Sequence, residues 1–394
     1  MAGVLPRVIP FDIHRGADAM TICDPRPIIM WELTRACDLR CRNCVFENSE
    51  RRVTNELTSY EAFRTVDQIV ALHPRELILT GGDPLERSDV GQIIDYARRR
   101  GLDPALVMSP TTQLTADAIA MLARHGLSRM VFSLDGSTPE IHHPVHGSAG
   151  TFDPTLRAMR LAECAGMLLE VNTLVSRRNV NDLSAIVDLI RPFHVARWNV
   201  HFLVPVGGSR NVEMITAEET EAVFAQLDEV RAGEQFALRV VEAPHYRRFL
   251  LQRRLDESLE HADGTAVWPD FARYESDDRP QVRDAAIGGP GEFVYISHAG
   301  DVRPSEFLPQ SAGNLRYRPL DSIYRASDFF VALRDEKNLN GKCGRCESRH
   351  VCGGSRARAW AMTGDVFGSD PLCAYQPGTH DLERFGNSAR EMTT

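Results

Sequence analysis

The chain has 394 residues, of which 43% are hydrophobic and 25% are charged, and these values are ordinary for a globular protein rather than for a disordered or collagen-like chain. The formal net charge of −9 excludes the broad basic surface of a non-specific nucleic-acid-binding protein. Apolar runs fall well short of the roughly 20 residues of a membrane-spanning helix. No secretion signal is visible, so a cytoplasmic location is expected.

Cysteine is the residue type that this composition leaves to be explained. The chain has nine cysteines, and in a reducing compartment patterned cysteines more often bind metal than form disulfides. Cys23, in an N-terminal extension over residues 1–27, and Cys164 each stand alone. Because free cysteine packs as a small hydrophobe, both are expected to be buried packing residues.

Three cysteines follow the first predicted strand, at residues 28–33. They are Cys37, Cys41 and Cys44, with three and two residues between them. A 4Fe-4S cluster usually has four cysteine ligands, so a triad indicates a cluster with one iron left open for another ligand. A structural zinc site needs four closed ligands, which this loop does not provide, and zinc is therefore the weaker alternative.

Short β-rich runs alternate with amphipathic stretches as far as residue 208. Thr58 and Glu61 form a capping-box pattern at one helix start, and Gly101 and Gly126 are expected to end their helices in the left-handed conformation. Predicted strands cover residues 28–33, 77–80, 105–108, 130–134, 169–174 and 198–204, and predicted helices cover 59–71, 90–100, 115–125, 152–165 and 181–192. The pattern predicts an α/β fold whose six βα units form a partial (β/α)6 TIM-like barrel.

Polar residues follow several predicted strands, at the end where such barrels assemble their active sites. The turn of Gly81, Gly82, Asp83 and Pro84 would let a ligand approach the backbone closely, although an ordinary tight turn uses the same residue types. Taken together, the polar residues that follow these strands suit a polar ligand with a ribose and an amino-acid moiety. Each residue alone is also explained as part of a turn or a helix cap. The further candidates are Ser109, Ser133, Asp135, Asn172 and Arg177, together with His142, His143 and His146.

Residues 209–290 are predicted to form a helical connection and loop. Helices are expected over 216–230 and 245–260, followed by a segment rich in Asp, Arg, Gly and Pro. The stretch 243–248 contains a histidine, a tyrosine and two arginines, which suit binding of an anionic macrocycle or supply of a proton; a structural histidine is the alternative. Residues 292–297 and 302–307 predict a β-hairpin.

A second set of cysteines lies in a small predicted α+β domain over residues 291–394. Cys343, Cys346, Cys352 and Cys373 would complete the shell of an iron-sulfur cluster or of a structural zinc site, so their spacing alone is compatible with both. The first cysteine loop favours iron, since one assembly machinery would serve both centres. Basic residues nearby would offset cluster charge or bind carboxylates, or else form a solvated surface. They are Lys342, Arg345, Arg349, Arg356 and Arg358.

These motifs carry a resemblance to a known family. The loop from Cys37 to Cys44 resembles the signature of the radical S-adenosylmethionine (SAM) enzymes, and residues 81–84 resemble their glycine-rich motif that contacts the methionine amino group. Asn43 departs from the pattern, because many members have an aromatic residue there. The resemblance implies that SAM binds the open iron through its amino and carboxylate groups. It also implies that an electron from a donor such as flavodoxin or ferredoxin cleaves SAM to a 5′-deoxyadenosyl radical.

The C-terminal motif resembles the SPASM/Twitch auxiliary-cluster domain, in the versions found in enzymes of alternative haem and haem d1 biosynthesis. It implies that residues 28–208 are a radical SAM barrel and that residues 291–394 hold an auxiliary 4Fe-4S cluster with full cysteine ligation. Removal of propionate side chains from a tetrapyrrole is then the expected reaction. The alternatives are a maturase that modifies a ribosomally synthesised peptide, and a non-catalytic iron-sulfur redox sensor or scaffold.

Overall fold

The structure is a computed structural model that describes residues 26–41, 44–46, 49–261 and 286–378. Cys23, Asn43 and most of the predicted loop before residue 290 lie outside the described residues. The helices are α1 (Ser59–Ala71), α2 (Val90–Arg99), α3 (Ala116–Arg124), α4 (Pro139–His146), α5 (Phe152–Cys164), α6 (Leu183–Ile190), α7 (Ala217–Gly233), α8 (His245–His261), α9 (Leu320–Ala326), α10 (Asp328–Arg334), α11 (Gly341–Arg345) and α12 (Arg356–Thr363). Among these described helices, none has the length and apolar character needed to cross a membrane.

The described strands form one curved sheet. They are β1 (Ile28–Glu32), β2 (Glu76–Thr80), β3 (Pro104–Met108), β4 (Arg129–Ser133), β5 (Leu168–Val175), β6 (Val195–Phe202), β7 (Ala237–Val241), β8 (Ala286–Ile287), β9 (Phe293–Ile296), β10 (Asp301–Arg303) and β11 (Gly313–Asn314). Their order is β11-β10-β9-β1-β2-β3-β4-β5-β6-β7-β8. Strands β1 to β8 pair in parallel. The predicted α/β fold with a barrel-like parallel sheet is confirmed.

Five strands, β7 to β11, extend this sheet beyond the six predicted barrel strands, and two of them pair directly with those six. β7 lies inside the stretch expected to be a helical connection, and it pairs in parallel with β6. β9 lies in the predicted C-terminal domain, yet it pairs in parallel with β1, with Ile28 opposite Phe293. Ile28, Val241, Ile287 and Phe293 pack in one apolar cluster. Side-chain packing thus joins the two sides of the curved sheet, since no β8–β9 pair is found among the described strands.

Charged side chains fill the barrel interior at the end where the strands begin. Glu76 lies 2.9 Å from Arg129, 2.9 Å from Arg197 and 2.7 Å from Arg239, all as ion pairs. Although burial favours the neutral acid, Arg239 and Arg197 lower the pKa of Glu76 to about 2. Paired charges in a buried network hold one another in place, because an unpaired buried charge is costly. Because this network occupies the amino end of the barrel interior, the space for a ligand lies at the opposite, carboxyl end of the strands.

The predicted local signals at helix ends are confirmed. At the start of α1, Glu61 N–H donates to the hydroxyl of Thr58, and the Glu61 carboxylate accepts from Thr58 N–H at 2.8 Å. Gly101 and Gly126 have φ values of 86° and 84°. The hairpin pairs as expected, but its second strand ends at Arg303, because Pro304 has no N–H to extend the ladder.

The packing role predicted for Cys164 is wrong. Cys164 is exposed at the last position of α5. The buried face of α5 is formed by Thr155, Ala158, Met159 and Ala162, which follow the three- and four-residue spacing of a helix face. A residue two positions after Ala162 points away from that face.

Candidate functional site

The three-cysteine loop leaves the carboxyl end of β1 and is tied to the barrel at two points. Cys37 N–H donates to the Ser49 carbonyl at 2.9 Å, and Gly208 N–H donates to the Cys44 carbonyl at 3.0 Å. Cys37 is buried, whereas Cys41 and Cys44 are partly exposed. Burial raises the pKa of Cys37 to about 11. The barrel thus presents three thiols in one loop, at the end of the sheet that the ion-pair network leaves open.

The glycine-rich turn after β2 lies directly against this cysteine loop. Gly82 N–H donates to the Thr34 carbonyl at 2.9 Å, and Asp83 N–H donates to the Ala36 carbonyl at 2.7 Å. A Cβ atom on Gly82 would lie 2.3 Å from the Ala36 oxygen, and one on Gly81 would lie 2.6 Å from the Thr34 oxygen. Both glycines are therefore needed so that two backbone segments can touch.

Replacing Gly82 by alanine is expected to separate the turn from the cysteine loop. The clash is with backbone atoms, and overpacking of this kind typically costs about 1–3 kcal/mol. We expect a lower free energy of unfolding in denaturant titrations and a lower iron content after reconstitution. Gly233→Ala is the matched control, because a Cβ there meets nothing within 4 Å. Equal stability and iron content in the two variants would contradict the argument.

Asp83 and Ser109 support the glycine-rich turn from inside. One Asp83 carboxylate oxygen accepts from Leu85 N–H at 3.0 Å, and the other accepts from the Thr111 hydroxyl. Asp83 is fully buried, and burial raises its pKa. Ser109 Oγ donates to the Gly82 carbonyl at 2.8 Å. The structure thus places Asp83 and Ser109 together with the buried Pro84, and both side chains hold the turn in place.

A buried network connects β4 to the cysteine loop. Asp135 accepts from Leu174 N–H at 2.8 Å and contacts His146 Nδ1 at 3.0 Å, while Asp135 N–H donates to His142 Nδ1 at 3.0 Å. Burial alone would lower the pKa of His146, but Asp135 and Cys41 raise it to about 10. His146 therefore lies between Asp135 and the three-cysteine loop. His146 is the last residue of α4, a helix that was not predicted and that contains Pro144.

The remaining predicted cofactor residues separate into two groups. Ser133 lies opposite Asn172 in the β4–β5 register, and Asn172 Oδ1 accepts from Asn199 Nδ2 at 3.0 Å, so these two side chains are placed together. Arg177 instead forms two hydrogen bonds with Glu219, at 2.9 and 3.1 Å. The two side chains of that pair are 46% and 37% exposed. Arg177 is thus engaged at the surface with the first turn of α7.

The four C-terminal cysteines line a single cavity. Cys343 lies on α11, and its sulfur accepts from Asp370 N–H at 3.4 Å; the sulfur of Cys352 accepts from Gly354 N–H at 3.3 Å. Burial raises the pKa of Cys373 to about 11 and also raises that of Cys352. The cavity is lined by Cys343, Cys346, Cys352, Cys373, His245, Arg248, Lys342, Arg349, Gly353, Gly354 and Tyr375.

This donor set fits a metal group bound by four thiolates. Buried thiolates are costly without a cation, and a coordinated metal removes their protons. Three of the lining side chains, Arg248, Lys342 and Arg349, are cationic, and they would offset the negative charge of such a group. Both a four-cysteine iron-sulfur cluster and a four-cysteine zinc ion satisfy these contacts.

Two of the predicted basic residues hold the cavity wall together. Arg358 and Asp370 are both fully buried, and they share two hydrogen bonds of 2.8 Å. Arg356 donates to the Val366 carbonyl at 3.0 Å and approaches the Cys343 sulfur at 3.7 Å. Arg345, by contrast, is exposed. The five predicted basic residues therefore differ in position, because Lys342 and Arg349 line the cavity whereas Arg345 faces solvent.

Replacing Arg358 by methionine is expected to destabilise the C-terminal region strongly. The substitution leaves Asp370 charged and buried without its partner, which typically costs about 3–5 kcal/mol. Chemical denaturation followed by fluorescence measures the change. Arg99→Met is the control, because its pair with Asp95 is 65% and 40% exposed and such pairs contribute about 1 kcal/mol or less. A similar loss in both variants would argue against the buried pair.

The C-terminal region covers the carboxyl end of the barrel. Val45, next to Cys44, joins an apolar cluster with Val204, Leu308 and Trp360, the last of these on α12. Ser355 Oγ donates to the Glu242 carboxylate at 2.5 Å, and Glu242 directly follows β7. Both cysteine centres are thus built on loops at the same end of the sheet.

Two carboxyl groups at this end were missed in the sequence, the buried Glu242 and the partly exposed Glu306. Burial raises the pKa of Glu242 to about 8 and that of Glu306 to about 7. The charge of Glu306 also raises the pKa of Glu242. Glu242 directly follows β7. The available signal in the sequence was the β-rich run at residues 237–241, which predicts a strand that ends just before an acidic residue.

Comparison with known proteins adds the following findings. Residues 31–190 match the Radical SAM superfamily. The AdoMet-dependent heme synthase of Oleidesulfovibrio alaskensis is 34% identical over 372 residues, which cover 92% of each chain. That of Methanosarcina barkeri is 33% identical over 351 residues, covering 89% of this chain and 97% of the relative.

Solved structures resemble the fold at low sequence identity. Streptococcus suis SuiB bound to S-adenosylmethionine is 13% identical and has a TM-score of 0.67, covering 89% of this chain and 78% of its own. The same protein bound to its precursor peptide SuiA has a TM-score of 0.66 and covers 89% of this chain and 76% of its own. At 13% identity, this similarity shows that the fold is shared and nothing more.

Proposed function

Because the chain belongs to the radical SAM superfamily, we propose that it converts propionate side chains of a tetrapyrrole to vinyl groups with loss of carbon dioxide. Radical SAM enzymes bind a 4Fe-4S cluster and SAM, and these supply a 5′-deoxyadenosyl radical that abstracts hydrogen from the substrate. The tetrapyrrole is supported by the two relatives named heme synthases, at 34% and 33% identity.

This proposal depends on one observation. The two cysteine centres lie at the same end of the barrel. Loss of one hydrogen atom and of carbon dioxide from a propionate leaves one electron that must be accepted. A second redox centre on the substrate side supplies such an acceptor. We assign this role to an auxiliary 4Fe-4S cluster held by Cys343, Cys346, Cys352 and Cys373, which line one cavity.

The residues of the chain then have distinct tasks. Cys37, Cys41 and Cys44 hold the cluster that binds SAM, and the turn at residues 81–84 positions SAM while it braces the cysteine loop. Ser133, Asp135 and Asn172 stay proposed contacts for the ribose and amino-acid groups of SAM. The C-terminal region closes over the carboxyl end of the strands and excludes water from the reacting carbon, where a radical would otherwise be lost to side reactions.

The experiment is an anaerobic incubation of reconstituted protein with a strong reductant, SAM and iron-coproporphyrin. We expect 5′-deoxyadenosine, and a product whose mass is lower by carbon dioxide and two hydrogens for each side chain converted, one abstracted as an atom and the other lost as the carboxyl proton. Mass spectrometry measures both. Deoxyadenosine without any change in the tetrapyrrole would contradict the proposed substrate. Its absence from protein that holds its full iron content would contradict the radical reaction and favour a redox sensor or scaffold.

A peptide maturase is the second candidate. It is supported by the similarity of the fold to SuiB, which has been solved with its precursor peptide. Peptides encoded by neighbouring genes, incubated under the same conditions, would then lose hydrogen while the tetrapyrrole remains unchanged. A flavodoxin or ferredoxin as electron donor stays a prediction, and comparison of these proteins as reductants tests it.

A further inference from the structure

His245 is buried against the cavity formed by the four C-terminal cysteines. It is the first residue of α8, four residues after the end of β7, and its side chain is 1% exposed. It is one of the residues that line the cavity. The ring of Phe224 packs against it edge-on, with centroids 4.9 Å apart, and this contact fixes the imidazole at the cavity wall.

Neither ring nitrogen of His245 has a hydrogen-bond partner among the described residues. The charged oxygen of Asp370 lies 3.8 Å from Nδ1, beyond hydrogen-bond distance. That carboxylate already accepts from Arg358 and from Ser355 N–H. Because buried polar groups are nearly always paired, the missing partner of His245 is expected to be a group that occupies the cavity.

The cationic side chains of the same cavity differ from His245 in this respect. Arg248 donates to Gln252 at 2.7 Å and also pairs with Glu221. Lys342 donates to the carbonyl of Cys373. These side chains act on a bound group mainly through their charge, whereas His245 presents a ring N–H that no protein atom uses.

We propose that His245 donates a hydrogen bond to a sulfur atom of the auxiliary cluster and thereby raises the reduction potential of that cluster. The proposal rests on the auxiliary 4Fe-4S cluster of the proposed function. A neutral imidazole has one N–H donor, and the sulfurs of a cysteine-bound cluster are acceptors that gain negative charge on reduction. Hydrogen bonds to these sulfurs therefore stabilise the reduced form, which is one of the ways proteins set cluster potentials.

This role suits the direction of electron flow in the proposed reaction. The electron left after loss of carbon dioxide has to pass to the auxiliary cluster, and a higher potential makes that cluster a better acceptor. The four thiolate ligands carry negative charge that would hold the potential low, and Arg248, Lys342 and Arg349 offset part of it. His245 supplies a neutral donor that favours the reduced form without adding a charge to the buried wall.

The test compares His245→Leu and His245→Gln in full-length protein in which Cys37, Cys41 and Cys44 are all replaced by alanine. Only the auxiliary cluster is then present, and a redox titration followed by electron paramagnetic resonance gives its midpoint potential. We expect His245→Leu to lower the equilibrium constant for reduction about tenfold, which is about 59 mV for one electron. His245→Gln retains an N–H donor and is expected to restore part of the shift.

Tyr246→Phe is the matched control, because it removes a hydroxyl from the next residue of the same buried turn without touching the cavity lining. Its potential is expected to equal that of the parent. Pulsed resonance on protein labelled with ¹⁵N-histidine is expected to show one coupled ring nitrogen, and to lose that signal in His245→Gln.

The outcomes separate this inference from the proposed function. An unchanged potential in His245→Leu with full iron content overturns the hydrogen bond. Loss of iron in both His245→Leu and His245→Gln makes His245 a ligand or a structural residue, which also overturns it. If the parent protein gathers no iron at the four cysteines, or gathers zinc instead, the auxiliary cluster of the proposed function itself fails.

Discussion

Replacement of Cys37, Cys41 or Cys44 by alanine is expected to abolish cleavage of SAM to 5′-deoxyadenosine. Each thiolate binds one iron of the cluster, and the loss of one leaves two ligands for a group that needs three in addition to SAM. The loop cannot supply a replacement, because Cys37 is buried where Ser49 and Ala36 fix the backbone. We expect product to fall to the level of a reaction without enzyme, as measured by chromatography of anaerobic assays.

Cys164→Ala is the control for this prediction. Cys164 is exposed on α5 and takes no part in either cysteine centre, so its removal should leave both iron content and deoxyadenosine formation unchanged. Deoxyadenosine formation at the parent rate in any one of the three loop variants would refute the assignment of that cysteine. Iron measured on the same samples shows whether the cluster or only its reactivity is lost.

Local sequence signals predicted the first six strands and their helices well. Residues 28–33 form a short, nearly continuous apolar run that was predicted to be a strand, and β1 covers Ile28–Glu32. The capping box at Thr58 worked for the same reason, since all of its contacts lie within four residues. Where both partners of an interaction are close in sequence, the pattern contains the information.

Interactions between distant parts of the chain could not be predicted in this way. β9 returns to pair with β1 across more than two hundred residues, and no local pattern specifies that pairing. His146 reaches the cysteine loop from a helix that contains Pro144, which lowers its helical signal. The glycines at 81 and 82 were expected to make room for a ligand, and the structure shows that backbone atoms of the cysteine loop already occupy the space beside them.

Buried charges were the hardest residues to interpret from sequence. Arg358 looked like one of several basic residues, because arginine is mostly exposed in proteins. Its burial depends on Asp370, twelve residues later, and on the Leu203 carbonyl at the end of β6. Likewise, nothing in the sequence around His245 indicates that four cysteines about one hundred residues later form the wall that it faces. These roles arise only when the C-terminal region packs on the barrel.

Replacement of Cys352 by alanine is expected to remove the auxiliary cluster while the three-cysteine centre keeps cleaving SAM. We expect iron per chain to fall by about half, since one of two 4Fe-4S clusters loses a ligand in a cavity where burial already disfavours a free thiolate. SAM cleavage should persist, because the three-cysteine loop is held by contacts to residues 49 and 208. Product formation should fall to background, since the electron left after carbon dioxide loss has no acceptor.

The measurement is a comparison of iron, deoxyadenosine and tetrapyrrole product on one preparation, with Cys373→Ala as a second variant. Both cysteines line the same cavity, so the two variants should behave alike. Unchanged iron per chain would count against an auxiliary cluster. Zinc bound to the parent protein would show that the four cysteines form a structural zinc site instead. Loss of SAM cleavage together with iron would mean that the C-terminal region also supports the first centre, through the apolar cluster that contains both Val45 and Trp360.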